Sequence, residues 1–129
     1  MTRLARLIAD RRGGVAVEMA LLTPLLLMLL LGVMEFGRMA WTKAALTYAV
    51  QEAGRCATVL ATCSTTGQVQ AFAVQKAAAL AIPAAAFTVV QNSTTPTCTW
   101  KINAQVNHGF ILYRLVPTAP VIAAQVCRP

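Results

Sequence analysis

The most specific chemical arrangement in the sequence is a pair of glycines followed by a glutamate. Arg11-Arg12-Gly13-Gly14-Val15-Ala16-Val17-Glu18-Met19 puts a carboxylate just inside an apolar run. A charged side chain at mid-membrane costs roughly 2.5–3.5 kcal/mol, and less near the edge. Glu18 can relieve that cost by snorkelling to the nearer interface or by pairing with Arg11 or Arg12. Hydrolysis of the peptide bond between Gly13 and Gly14 would create another partner. Glu18 would then be the fifth residue of the shortened chain, one helical turn from a new amine on Gly14. An α-amino group is mostly protonated near neutral pH. It could neutralise the carboxylate within one chain or in a neighbour packed alongside, and the charge would become a device for docking helices.

The other reactive residue types are sparse. Cysteines stand at 56, 63, 98 and 127, all beyond the apolar run. An even number in a small exported domain points to disulfides, which offset a small core. Three pairings are open. Cys56–Cys63 with Cys98–Cys127 is favoured, because the first closes a short loop and the second ties two expected strands. Zinc is the competing use, but no C-x-x-C occurs and the one histidine is His108, read as a loop residue beside Gly109. Past residue 36 the sole acid is Glu52. Paired-carboxylate and triad chemistry therefore lack their parts, and neither an enzyme, a cofactor nor a small-molecule substrate is expected. Asn92-Ser93-Thr94 matches a glycosylation acceptor, a three-residue pattern common by chance.

These residues are positioned by one dominant element. Val15 to Phe36 is an apolar block with no charge between Met19 and Met34. As a helix rising about 1.5 Å per residue it reaches roughly 33 Å, enough to cross a hydrocarbon core of about 30 Å. Pro24 removes one backbone donor and is expected to bend the helix, with Thr23 compensating locally. Glu35 and Arg38 are spaced to pair at the outer interface, or simply to be solvated there. Trp41 stands where an interfacial aromatic anchor belongs, and ordinary helix packing would use it equally well. Arg3, Arg6, Arg11 and Arg12 crowd the leader against Asp10 alone, whereas Arg38, Lys43 and Arg55 are spread out after the block. The positive-inside rule then puts the N-terminus in the cytoplasm and the tail outside. A cleaved secretory signal competes with this anchor, but the block is longer than an h-region and no A-x-A site follows it.

The whole-chain composition agrees. Of 129 residues, 57% are hydrophobic and 12% charged, too apolar for an ordinary soluble domain or a disordered chain. The net charge of +7 is thinly scattered beyond the leader, with no basic run interleaved with aromatics, so nucleic acid is not an expected partner. What remains beyond the span suffices for one small domain.

In that tail the helix is expected to continue from Met39 to Leu60, with Leu46, Ala49, Val50, Ala53, Ala57 and Leu60 on one face and Gly54 weakening it modestly. Cys63 to Gly67 reads as a loop, and Gln68 to Ala81 as a second helix stopped by Ile82-Pro83. Phe87 to Val90, Cys98 to Val106 and Val121 to Cys127 read as strands, with turns at Asn92 to Pro96 and between Pro117 and Pro120. The fold class is therefore α+β. A long N-terminal transmembrane helix continues into a small exported domain with a second helix and an antiparallel sheet of about three strands, linked by disulfides. The expected organisation is a leader over 1–13, a span over 14–37 and an exported domain over 38–129.

The junction resembles a type IV prepilin cleavage site: glycine, cut, then glutamate fifth. Glu18-Met19-Ala20-Leu21-Leu22-Thr23-Pro24-Leu25-Leu26-Leu27, then Gly32-Val33-Met34-Glu35-Phe36-Gly37-Arg38, resembles the TadE-like proteins of tight-adherence (Tad/Flp) pilus systems. Those proteins read A-V-E-F-A-L-x-x-P-L-L-L and then G-x-x-E-F-G-R. Gln51-Glu52-Ala53-Gly54-Arg55 lies in the family's next helical stretch. Met19 departs from the family, which more often has an aromatic there. The resemblance is dense over 11–57 and weak beyond. It implies a minor pilin or pseudopilin of the bacterial inner membrane, cut after Gly13 by a prepilin peptidase. It further implies that Glu18, Met19 and Pro24 serve helix packing, and that the partners are other Tad pilins and the Tad assembly machinery. An uncleaved, signal-anchored periplasmic binding domain is the alternative.

Overall fold

The apolar block and the residues after it form one helix, α1, over Arg12–Val59, with Pro24 inside it. A computed structural model of the chain describes residues 12–92, 98–111 and 118–129. The leader before Arg12, most of the Asn92–Pro96 turn cluster and Pro117 lie outside those residues. The chain divides into two compact units, Met1–Phe36 and Gly37–Pro129.

In the first unit, the described residues from Gly13 to Phe36 are all exposed except Glu35. Leu21, Leu25 and Phe36 expose 72%, 66% and 73% of their surface. A helix that is apolar all round and covered by nothing in its own chain calls for lipid or other helices as its surroundings. Thr23 does not make the compensation expected of it. Its Oγ1 donates to the Met19 carbonyl at 2.6 Å. The carbonyl that loses its i+4 donor to Pro24 is that of Ala20, so the hydroxyl serves the neighbouring oxygen.

In the second unit, the inner face of α1 is the one its periodicity predicts. Leu46, Ala49, Val50, Ala53 and Cys56 are buried and Ala57 packs at the margin. Leu60 is not part of this face. The helix stops at Val59, and Leu60 is half exposed.

A turn of 3-10 helix over Ala61–Cys63 leads into α2, Thr66–Lys76. The loop expected over Cys63–Gly67 is thus shorter, because Thr66 and Gly67 are already helical. The reason is a capping box. Thr65 Oγ1 accepts from the Gln68 amide at 3.4 Å, and Gln68 Oε1 accepts from the Thr65 amide at 3.2 Å. The helix also ends before Ala81. Lys76 closes the α-helical part, Ala78–Leu80 tightens to 3-10, and Ala81 turns left-handed at φ 49°. The stop therefore precedes Ile82-Pro83.

The three expected strands are β1 Phe87–Gln91, β2 Trp100–Asn107 and β3 Val121–Arg128. They form one antiparallel sheet in the order β1-β2-β3. Alternation sends Phe87, Trp100, Ile102, Ala104, Ile122 and Ala124 into the core shared with α1 and α2. The register sets Ile102 opposite Val89 and Val126, and Ala104 opposite Phe87 and Ala124. Burying a side chain such as Phe87 or Ile102 contributes about 1.5–3 kcal/mol. Asn92, at φ 58°, opens the turn after β1 in a conformation that asparagine tolerates.

Candidate functional site

Gly13, Gly14, Glu18, Met19 and Pro24 all lie on α1, on the exposed surface of the first unit. Gly14 and Glu18 are four residues apart, so they stand one above the other on a helix. A Cβ built on Gly13 or Gly14 meets nothing within 4 Å, and neither glycine has a positive φ. The fold of this chain therefore places no demand for glycine at either position. Glycine in a helix costs about 1 kcal/mol relative to alanine.

At the other end of the apolar run Glu35 is only 8% exposed, while Trp41 is 67% exposed and packs into no core. Arg38 is exposed, and neither it nor Glu35 is without an interaction partner. Thr42 donates its hydroxyl to the Arg38 carbonyl and Thr47 to that of Lys43, which lets these polar residues sit in the helix at little cost.

The cysteines pair as Cys56–Cys63 and Cys98–Cys127. The first bond ties the last turn of α1 to the 3-10 turn before α2. The second joins the approach to β2 with the end of β3. No cysteine is free. His108 follows β2 in irregular backbone, as expected, but it is buried at 6% exposure. Its amide donates to the Pro120 carbonyl at 3.0 Å, and its ring meets Phe110 edge-on with centroids 5.6 Å apart. Among the described residues no three His, Cys, Asp or Glu side chains gather at one point.

Two contacts escape sequence reasoning, because each joins residues distant in the chain. Gln70 Nε2 donates to the Ala84 carbonyl at 2.8 Å and to that of Phe87 at 2.9 Å. Lys43 Nζ donates to the Ala123 carbonyl. The register turns the Phe87 and Ala123 carbonyls away from β2, so each belongs to an open edge of the sheet. One helical side chain thus covers each edge. Unpaired edges template association, and lysine is a common guard against it.

An unburied helix long and apolar enough to cross a membrane, joined to a small disulfide-linked α+β unit, has the architecture of a single-pass membrane protein. The family model for TadE-like protein matches residues 13–55, the stretch that carries the glycine pair, Glu18 and the helix to Arg55. The matched segment is about a third of the chain, and over it the chain is similar to TadE-like protein. No curated protein and no solved structure matches the chain.

Proposed function

We propose that the protein is a minor pilin or pseudopilin of a Tad (Flp) pilus, made as a precursor and processed between Gly13 and Gly14 by a prepilin peptidase. The observation that carries this reading is the pair of glycines next to Glu18, which no contact within the chain requires. A recognition event outside the chain supplies the missing reason. Before processing, the leader arginines hold the N-terminus in the cytoplasm and the disulfide-linked unit lies in the periplasm, an oxidising compartment. The working division is a leader over 1–13, a span over 14–37 and a periplasmic domain over 38–129.

After the cut, the Gly14 amine and the Glu18 carboxylate of neighbouring subunits neutralise one another in the membrane. That makes helix docking selective for processed chains. Met19 and Pro24 lie on the same exposed helix and belong to the packing surface, with Gly32 and Gly37 allowing close approach. Glu35, Arg38 and Trp41 sit at the outer interface, where a tryptophan ring and paired charges are stable. The partners are the prepilin peptidase, other Tad pilins and the assembly machinery in the inner membrane.

Deletion in the source bacterium tests the role. Surface piliation should be lost and then restored by the wild-type chain. Unchanged piliation in the deletion strain would contradict it and favour an uncleaved, signal-anchored binding domain.

A further inference from the structure

We propose that the free edge of β3 takes up an extended, acidic segment of a partner protein as a fourth strand. This inference does not depend on the pilus assignment.

The ladder fixes which backbone groups face outward. His108 donates its amide to the Pro120 carbonyl, so that pair is hydrogen-bonded and every second pair along β2 and β3 is too. Ile122, Ala124 and Val126 therefore turn their backbone groups to β2, while Val121, Ala123 and Gln125 turn theirs away from the sheet. Lys43 Nζ, donating to the Ala123 carbonyl, agrees with that phase. It serves this one oxygen. Among the described residues nothing pairs with the Ala123 amide or with the outward groups of Val121 and Gln125. Such groups recur roughly every 6.6 Å along a strand, and another strand presents partners at the same repeat. The Lys43 ammonium stands where that strand would place an N–H.

The surroundings give the segment its charge. Lys43 lies at the Ala123 end of the edge, Lys101 is opposite Cys127 in the register, and Arg128 ends the strand. Arg128 lies against α1 at Gly54, where a Cβ would be 3.5 Å from its Nε, and Arg55 is the next residue of the helix. No strand of the sheet carries an acid. A second copy pairing through β3 would set these cations against their equivalents, whereas carboxylates on an added strand would neutralise them. Space for it exists beside the strand, in a cavity of about 470 Å³ lined by Lys43 and Thr47 of α1 and by Ala123, Ala124 and Gln125 of β3, among others.

The test uses the full chain in nanodiscs of neutral phosphatidylcholine, titrated with the peptide acetyl-Thr-Glu-Val-Glu-Val-Glu-Thr-amide and followed by NMR. Binding should have a Kd on the order of 0.1 mM or tighter. At ten times the Kd, the Ala123 and Gln125 amides should exchange about tenfold more slowly. Gln125→Pro removes an N–H that the sheet does not use, so the fold should persist and binding should weaken about tenfold or more. Should that variant fail to fold, the peptide N-methylated at alternate residues, in one of its two phases, should lose binding with its charge unchanged. Arg55→Gln with Arg128→Gln should weaken binding about fivefold. The proposal is overturned if neither amide gains protection, if both N-methylated peptides bind as well as the parent, or if a version with lysine for glutamate binds equally. It is also overturned if these amides are already protected without peptide in a self-associated chain.

Discussion

A Cβ placed on Gly54 would lie 3.0 Å from Cγ1 of Val126 and 3.2 Å from Cγ of Arg128. Gly54 is therefore a point of close approach between α1 and β3, and the helix propensity lost there is offset by packing. Overfilling a packed site costs about 1–3 kcal/mol. Gly54→Leu should destabilise the disulfide-linked unit by about that much and lower its Tm by several degrees in a thermal scan of the full chain. An unchanged Tm would mean that helix and strand are not in contact at this position.

Gln70 bridges the start of the 3-10 turn before β1 and the first residue of the strand by donating to Ala84 and Phe87. Truncation leaves two carbonyls without this donor, one of them partly buried. Gln70→Ala should cost about 1–3 kcal/mol. Amide exchange should quicken first in β1, and equal protection in both proteins would remove Gln70 from the edge.

Cys98–Cys127 closes a loop with a sequence separation of 29. Loss of that cross-link costs about 3–4 kcal/mol in the chain-entropy description, and Cys56–Cys63 about 2–3 kcal/mol for its shorter loop. Cys98→Ser with Cys127→Ser should therefore be the more damaging pair, with faster proteolysis between β2 and β3. The reverse ranking would show that the short loop holds the core.

Glu18→Ala removes a charge from the exposed apolar stretch of α1, one that makes no contact needed by the fold of its own chain. Insertion should be intact, and co-purification with other pilin subunits should fall sharply. Undiminished co-purification would show that the carboxylate does not pair with a neighbour's amine.

Much of the fold was legible because its signals are periodic. Alternation over Cys98 to Val106 pointed to the strand found at Trp100–Asn107, and the spacing of Leu46, Ala49, Val50 and Ala53 gave the buried stripe of α1. The cysteine pairs followed from loop length and strand pairing. Element ends were harder. Thr65 and Gln68 spell a capping box, but the serine and threonines around them look like loop composition. Ala81 takes a left-handed turn that glycine more often fills, so nothing in its identity announced the stop. Gln70 on Phe87 and Lys43 on Ala123 join elements that only the folded sheet brings together. The junction at Gly13 and Gly14 is the opposite case. Its local sequence carries the signal, and the surrounding fold adds only that nothing there requires glycine.

That junction is the centre of the account. Gly13→Ala should leave the fold intact and cause unprocessed precursor to accumulate. The most direct measurement is mass spectrometry of the N-terminus of the protein recovered from cells with the native peptidase. A mature chain beginning at Gly14, with Glu18 fifth, is the predicted result. A chain still beginning at Met1, or one cut after Phe36, would contradict it.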